Sequence, residues 1–213
     1  MTRQVRKAVF PVAGLGSRFL PATKVMPKEM LTLVDKPLIQ YAVEEARAAG
    51  VESFAFVTSQ GKTLIEDHFD SHYELYETLE RRGKEAELAS AKATEIAAGD
   101  LAIMRQHTPL GLGHAVWCAR DFIGNEPFAV ILPDDVILSK TPALKQMVDA
   151  YSKVGGNMVA VEEVPMEQVH RYGILDVDQD DGKIASAKGL VEKPNAEDEP
   201  SNLSIIGRYI LQP

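Results

Sequence analysis

Short apolar runs alternate with stretches of helical spacing along most of the chain. Residues 37–49 carry apolar positions at helical intervals, begin with Pro37 and end before Gly50, which predicts a helix. The same spacing predicts helices at residues 114–121 and 141–153. Strands are predicted at residues 8–13, 54–58, 102–105, 127–132 and 157–164. This alternation of strand and helix is typical of an α/β fold with a largely parallel sheet.

Two regions depart from this alternation. Residues 62–98 are rich in Glu, Ala, Leu, Lys and Arg and nearly free of Gly and Pro, which predicts a pair of exposed helices between strands. After Tyr172 the pattern changes to short strands, and the Asp181-Gly182 pair predicts a hairpin turn between two of them.

The C-terminal end also carries information. Residues 202–211 predict one more strand, and only two residues follow it. A doubly wound sheet normally covers such a strand with a further helix. Either the fold ends unusually, or the chain belongs to a longer protein; no linker or repeat divides it, so residues 1–213 are expected to form a single domain.

Composition and charge narrow the classes of function. The 213 residues are 45% hydrophobic and 25% charged, as in ordinary globular proteins. A net charge of -8 argues against binding to a nucleic-acid polymer, and no apolar run is long enough for a membrane span. The single cysteine, Cys118, suits a reducing compartment, so a cytoplasmic protein is expected. Because the protein is acidic, an anionic ligand would need positively charged side chains close to it, and a divalent metal ion is expected to bind with it.

The loop at residues 12–31, VAGLGSRFLPATKVMPKEML, is the first candidate for chemistry. Gly14-Leu15-Gly16 follows a predicted strand, and such a turn can point backbone N–H groups at a phosphate. It does not complete the dinucleotide fingerprint, because Phe19 stands where the third glycine belongs. A second phosphate-loop pattern also fails: Gly61-Lys62-Thr63 resembles its end, but Phe56 occupies the required earlier glycine position.

Three cations follow the glycines in this loop: Arg18, Lys24 and Lys28. Pro21 and Pro27 discourage a regular helix here, so an extended, stiffened loop is expected. Backbone amides together with an arginine fork and lysine charges are suited to a polyphosphate; solvated surface charge is the simpler alternative.

Three further stretches carry candidate residues. Asp134 and Asp135 follow the most apolar strand, at the edge where α/β sheets bind ligands, and alternation along the strand predicts that one of them faces a Mg²⁺ ion. Gln106 precedes the glycines of 110-LGLGHAV-116 and could read a base edge through its amide. His107 and His114 lack a second metal-ligand cluster, so no chemical role is assigned to them. The tripeptide at 192–194, Glu-Lys-Pro, offers a carboxylate for sugar hydroxyls and a lysine for a phosphate, but by itself it is weak evidence for a sugar-phosphate site.

These segments resemble one family when they are taken together and in order. The segments are VAGLGSRFLPATKVMPKEMLTLVDKPLIQY, QHTPLGLGHAV, AVILPDD, YGILDVD, GLVEKP and SNLSIIGRYIL. They resemble the bacterial UTP–glucose-1-phosphate uridylyltransferases, a branch of the sugar-nucleotide pyrophosphorylases, over residues 8–211. The resemblance implies a three-layer α/β/α sandwich with a mixed, mainly parallel, Rossmann-like sheet. It also implies that UTP and glucose 1-phosphate give UDP-glucose and pyrophosphate, by in-line attack of the sugar phosphate on the α-phosphorus and with Mg²⁺ as cofactor.

The resemblance also implies roles for individual residues. On the nucleotide side, Arg18 and Lys28 would hold the triphosphate and stabilise developing charge, while Lys24 has no contact that can be assigned. The remaining nucleotide contacts would come from Ala13, Gly14, Gly16, Glu29, Gln106 and Gly111. Asp134 would bind the metal, Gly173 and Glu192 the sugar, and Lys193 the phosphate of glucose 1-phosphate.

One departure from the family leaves alternatives open. The family supplies a second metal carboxylate from a C-terminal segment that this chain lacks, which puts complete metal coordination and a stable homo-oligomer (a dimer or tetramer) in question. The nearest alternative is the same chemistry with dTTP, a thymidylyltransferase. A second alternative, from another class, is a non-catalytic sugar-nucleotide-binding or regulatory protein, although the presence of Arg18, Lys28, Asp134 and Lys193 favours an enzyme.

Overall fold

The computed structural model describes residues 2–195 and 200–213. Its strands are β1 (Lys7–Pro11), β2 (Thr32–Leu33), β3 (Lys36–Pro37), β4 (Ser53–Thr58), β5 (Leu101–Arg105), β6 (Phe128–Ile131), β7 (Met158–Glu163), β8 (Gly173–Asp180), β9 (Ala185–Glu192) and β10 (Leu203–Leu211). Its α-helices are α1 (Leu38–Ala48), α2 (Thr63–Phe69), α3 (Tyr73–Arg81), α4 (Glu85–Lys92), α5 (Leu112–Cys118), α6 (Arg120–Ile123) and α7 (Ala143–Val154). In this part of the chain no helix is both long and apolar enough to cross a membrane.

The main sheet is mixed, with strand order β5-β4-β1-β6-β10-β8-β9 and with β7 paired to β10. The four strands β5, β4, β1 and β6 are parallel to one another, whereas β10 runs antiparallel to β6. The chain passes from β1 to β4 and β5 on one side and then crosses to β6 on the other side of β1. Parallel strands that leave in opposite directions open a crevice at their carboxyl ends, where α/β proteins bind ligands.

Alternate residues of the central strands feed two separate cores, which makes the fold a three-layer sandwich. Ala8 and Phe10 of β1 pack on the side covered by α1, α2 and α7. Val9, between them, packs with Ala115 and Ala119 on the side of α5 and α6. Burial of both faces explains why these strands are continuously apolar in the sequence. The predicted three-layer α/β/α fold is confirmed.

Three local predictions need correction or a closer account. Residues 62–98 form three helices, α2 to α4, instead of a pair, because the chain breaks at residues 70–72 and again at Gly83. The loop at 12–31 contains three single-turn 3-10 helices and is not simply extended; Pro21 and Pro27 each directly precede one of them, where their fixed φ is compatible with a helical start. Pro11 ends a central strand without harm, since β1 pairs with β6 only as far as Val9.

Candidate active site

The candidate active site lies at the carboxyl ends of the four parallel strands. The loop after β1 carries the glycines and the cations, and the loop after β4 carries Ser59 and Lys62. Gln106 directly follows β5, and Asp134 lies three residues beyond the end of β6. Residues that are far apart in sequence therefore reach the same edge of the sheet.

Gly16 allows the loop after β1 to fold back on itself. It has left-handed φ and ψ angles of 68° and 27°, and a Cβ atom there would lie 3.0 Å from the Cβ atom of Lys28. Its carbonyl accepts hydrogen bonds from the Thr23 hydroxyl at 2.7 Å and from the Phe19 amide at 2.9 Å. The Ser59 hydroxyl donates to the Ala13 carbonyl at 3.0 Å, which ties the loop to the end of β4. The glycine is thus required for Lys28 to approach the turn closely.

Lys28 and Asp134 join the two sides of the crevice. The Lys28 Nζ atom donates to Asp134 Oδ2 at 2.6 Å, linking the loop after β1 to the loop after β6. Neither side chain is enclosed, with exposed fractions of 19% and 35%. Arg18 and Lys24 are exposed, and neither makes an ion pair with any residue that the structure describes. The loop therefore presents one cation held against a carboxylate and two cations open to a ligand.

Glu29 and Lys62 form a buried ion pair beneath Lys28. The Lys62 Nζ atom lies 2.8 Å from Glu29 Oε2, and the side chains are 8% and 0% exposed. Burial raises the pKa of the Glu29 carboxyl against the opposing effect of the Lys62 charge, and burial lowers the pKa of the Lys62 amine. The other oxygen, Glu29 Oε1, has no hydrogen-bond partner among the described residues. The carboxylate faces Lys62 in this conformation, so a uridine contact by Glu29 stays a prediction.

Gln106 is buried, with its side-chain amide held at the start of α5. Its Nε2 atom lies 3.0 Å from the carbonyl of Gly111 and 3.0 Å from Nδ1 of His114. Gly111 has a φ angle of 97°, which turns the chain into the helix. The predicted base-reading residues Gln106 and Gly111 are therefore neighbours in the structure, although no described contact tests the role itself.

A second buried ion pair lies beneath the aspartates. Arg208 of β10 is 2% exposed and contacts both oxygens of the Glu45 carboxylate, the closer at 2.8 Å. It also donates to the Leu132 carbonyl at 3.1 Å, two residues before Asp134. Asp135 lies over Gly207, where any Cβ atom would collide with its carboxylate. Desolvation raises the pKa of the Asp135 carboxyl, and the Asp134 charge raises it further.

The predicted sugar-binding residues lie together where β8 and β9 pair. Gly173 is opposite Glu192, and a Cβ atom on Gly173 would lie 3.1 Å from Glu192 Oε2. Lys193 has a left-handed φ of 48°, which is uncommon for a residue with a side chain, and its amide donates to the Tyr172 carbonyl at 2.9 Å. The Lys193 ammonium and the Glu192 carboxylate are both exposed and 3.4 Å apart.

The residues at the edge of the sheet fit a metal that is shared with a ligand. Within residues 2–195 and 200–213, no three His, Cys, Asp or Glu side chains gather as metal ligands. Asp134 nevertheless offers an accessible carboxylate, and the Lys28 ammonium lies where a cation held by that carboxylate would be. Mg²⁺ is commonly bound by one or two carboxylates together with substrate phosphates. The single accessible carboxylate of Asp134 therefore suits a metal ion whose other ligands are the oxygens of a bound polyphosphate.

Sequence reasoning missed Lys62, Arg208 and Tyr209. Lys62 belongs to the incomplete phosphate-loop pattern at Gly61-Lys62-Thr63, and no local pattern indicates Arg208 because its partner Glu45 is 163 residues away. Tyr209 follows Arg208; desolvation, followed by the charges of Asp135 and Glu192, raises the pKa of its phenol. A charged residue inside an apolar strand such as SIIGRYIL is the one signal that could have identified Arg208.

Comparison with known proteins decides the family. Residues 7–213 match the family model described as nucleotidyl transferase. The chain belongs to the nucleotidyl transferase family. This nucleotidyl transferase is 56% identical to UTP–glucose-1-phosphate uridylyltransferase of Komagataeibacter xylinus over 211 residues, which cover 99% of this chain and 74% of the relative.

Solved structures agree with the sequence comparison. A structure of UDP-glucose pyrophosphorylase complexed with UDP-glucose matches the nucleotidyl transferase with a TM-score of 0.88 at 48% identity, covering 99% of this chain and 77% of that one. A UTP-bound enzyme from Acinetobacter baumannii matches with a TM-score of 0.91 at 44% identity, covering 98% and 75%. The resemblance to the bacterial uridylyltransferases is confirmed, and with it the predicted enzyme class.

Proposed function

We propose that the protein transfers a uridylyl group from UTP to glucose 1-phosphate, giving UDP-glucose and pyrophosphate. The observation that carries this proposal is the Lys28–Asp134 pair across the crevice, beside a glycine loop, in a chain whose relatives bear this activity in their names. The UTP and UDP-glucose bound by two structural relatives support the choice of nucleotide and product.

The nucleotide would lie along the loop after β1. Backbone groups of Ala13, Gly14 and Gly16 would cradle the phosphates, and Arg18 and Lys28 would offset their charge. Gln106 and Gly111 would contact the uracil. Glu29 would act by holding Lys62 in place. It would contact the uridine directly only if its carboxylate moved away from Lys62. Two cations at the triphosphate are needed because the protein as a whole is acidic.

The sugar phosphate would lie between the β8–β9 edge and Asp134. Glu192 would accept hydrogen bonds from sugar hydroxyls above Gly173, and Lys193 would pair with the phosphate. β10 pairs with both β6 and β8, which supports a sugar site beside the aspartates that follow β6. Asp134 would hold Mg²⁺, which when bound supplies charge neutralisation at the phosphates.

The reaction needs positioning more than covalent chemistry. A phosphate oxygen of glucose 1-phosphate would attack the α-phosphorus of UTP, and a new P–O bond would form. The bond from that phosphorus to the bridging oxygen would break in line, and pyrophosphate would leave with the bonding electron pair. Arg18 and Lys28 would stabilise the charge on the leaving group, and Lys193 would hold the nucleophile.

A pyrophosphate-release assay tests the proposal directly. The protein is supplied with UTP, dTTP, CTP, ATP or GTP, each combined with glucose 1-phosphate or another sugar 1-phosphate, with and without MgCl₂. We expect the highest kcat/KM with UTP and glucose 1-phosphate, and dependence on the divalent ion. Faster turnover with dTTP would favour the thymidylyltransferase, and tight UTP binding without turnover would favour a binding protein. A homo-oligomer in the cytoplasm also remains part of the proposal, and sedimentation velocity tests the assembly.

A further inference from the structure

The orientation of the Gln106 amide follows from its two neighbours. The Gly111 carbonyl can only accept a hydrogen bond, so the Gln106 atom 3.0 Å from it must be the NH₂ nitrogen. The same nitrogen lies 3.0 Å from Nδ1 of His114. One hydrogen of the NH₂ group goes to the carbonyl, and the other points at the imidazole. Nδ1 must therefore accept, which requires a neutral His114 with its proton on Nε2.

This arrangement leaves Gln106 with a single free function. Both amide hydrogens are engaged, so the carbonyl oxygen Oε1 is the remaining hydrogen-bonding atom, and it can only accept. Among the described residues no donor reaches Oε1, and it is not among the enclosed polar atoms that lack a partner. A glutamine that could in principle donate and accept is thereby converted into an acceptor that is open to a ligand.

His114 is itself held in place by an aromatic and cationic stack. Its ring lies nearly parallel to that of Trp117, with 21° between the planes and 5.8 Å between the centroids. The guanidinium of Arg120 covers Trp117 at 3.9 Å from the ring centre. Trp117 is more than half exposed, although a large aromatic side chain is usually buried. Packing of this kind limits rotation of the imidazole and keeps Nδ1 directed at Gln106.

We propose that His114 is a specificity-determining residue that acts through Gln106, by fixing its amide so that only the acceptor faces the nucleobase. This inference rests on the proposed function, in which Gln106 contacts the base. Uracil carries an N–H at position 3 of its pairing edge, which matches an acceptor. Cytosine carries a bare nitrogen there, so two acceptors would face each other. A site built around a hydrogen bond rejects a ligand that leaves its polar group unpaired.

The test compares nucleotide selectivity among variants. His114→Ala removes the acceptor and lets the Gln106 amide rotate, so the ratio of kcat/KM for UTP to that for CTP should fall by about tenfold or more. His114→Gln restores an acceptor and should recover part of the ratio. His107→Ala is the matched control, since His107 lies next to Gln106 in the loop between β5 and α5, is exposed and makes no hydrogen bond with any described residue. The KM for glucose 1-phosphate should not change in any variant.

Two outcomes would overturn the inference. An equal loss of activity with UTP and CTP in His114→Ala would leave the ratio unchanged and make the histidine merely structural. A second measurement needs no variant: ¹⁵N NMR of the histidines in the intact protein should find His114 protonated at Nε2 and not at Nδ1. A proton on Nδ1 would contradict the geometry. If the unaltered protein released no pyrophosphate from UTP, the proposed function would fail instead, while the NMR result would still stand or fall independently.

Discussion

The Lys28 ammonium lies 2.6 Å from the Asp134 carboxylate and closes the crevice between the loops after β1 and β6. The two strands are adjacent and parallel, and the chain leaves them in opposite directions, so this contact spans the point where the strand order reverses. Each charge neutralises the other, and in the proposed function a polyphosphate would replace Asp134 as the partner of Lys28 while a divalent ion would replace Lys28 as the partner of Asp134. Both side chains therefore stay partly exposed to a ligand, while each is paired with an opposite charge.

Asp134→Asn should abolish most divalent-dependent activity while leaving the fold intact. The loss of a charged metal ligand should lower kcat/KM by about 100-fold or more. Stability should change little, because a partly exposed ion pair contributes at most about 1 kcal/mol. Turnover across a MgCl₂ titration and a thermal melt measure the two effects. Asp121→Asn is the control, on an exposed side chain of α6; near-normal activity of Asp134→Asn would remove the metal role.

Lys193→Ala should mainly affect the use of glucose 1-phosphate. Loss of a charged hydrogen bond should weaken that interaction by about 1.5–3 kcal/mol, whereas the KM for UTP should stay the same. Steady-state kinetics with each substrate varied in turn distinguish the two. Lys188→Ala is a suitable comparison, since Lys188 is an exposed lysine on β9, the strand that Lys193 directly follows, and is paired with Asp178. A defect confined to UTP would show that the role of Lys193 is misassigned.

Gly16→Ala should weaken UTP binding more than its effect on backbone strain explains. A side chain at a left-handed position costs about 1–2 kcal/mol, and here the new Cβ would also press on Lys28 at 3.0 Å. Gly83 has nearly the same φ, 65° against 68°, but nothing lies within 4 Å of its would-be Cβ. Gly83→Ala should therefore show the cost of backbone strain alone and leave the KM for UTP unchanged. Equal KM values for UTP in the Gly16→Ala and Gly83→Ala variants would contradict a role for Gly16 in placing Lys28.

The Glu29–Lys62 pair should behave as a coupled unit. Lys62→Met leaves a fully buried carboxylate without its partner and should cost about 3–5 kcal/mol of unfolding free energy. Glu29→Gln combined with Lys62→Met removes both charges and should recover most of that loss. Urea unfolding of the two single variants and the double variant measures the coupling. Additive losses in the double variant would mean that the two side chains do not interact.

The same pair predicts a pH dependence of stability. The pKa of Glu29 is raised, so just above its ordinary value of 4.5 the folded state binds more protons than the unfolded state, and stability falls as the pH rises. The pKa of Lys62 is lowered, so below 10.5 the folded state binds fewer protons, and stability rises as the pH approaches that value. The native protein's unfolding free energy minus that of the double variant should therefore be smallest at pH values between these two ranges. A maximum of this difference at intermediate pH would contradict the prediction.

Arg208→Lys should destabilise the protein and weaken its response to the divalent ion. Lysine keeps the charge but cannot reproduce the contacts to both Glu45 oxygens and to the Leu132 carbonyl at once, and each lost charged hydrogen bond costs roughly 1.5–3 kcal/mol. Glu45 also accepts from the Leu144 amide at 2.9 Å, so the start of α7 should loosen as well. Arg6→Lys is the comparison, because the Arg6–Glu52 pair is exposed and its alteration should have little effect.

A loss of stability in Arg208→Lys without any rise in the MgCl₂ concentration for half-maximal activity would limit Arg208 to a structural role. Its contact with the Leu132 carbonyl, two residues before Asp134, predicts that both quantities change together.

Local patterns were sufficient for the strands of the main sheet and for the choice of candidate site residues. The run at 127–132 predicted β6 because a strand buried on both faces is continuously apolar, and the Asp181-Gly182 pair predicted the hairpin between β8 and β9. Gly14, Gly16 and Lys28 could be selected because a phosphate needs close backbone approach and positive charge. The split of residues 62–98 into three helices was less accessible, since only Gly83 interrupts an otherwise helix-favouring composition there.

The sequence by itself determined the α/β class, the phosphate-suited loop and the family resemblance, because these depend on residue types at short spacing. Only the tertiary structure decided which charges meet: Lys28 with Asp134, Lys62 with Glu29 and Arg208 with Glu45 are joined across 106, 33 and 163 positions. It also decided that the Gln106 amide faces His114. The physical reason is that burial and pairing of polar groups depend on which strand ends the sheet brings together, and no local pattern encodes that order.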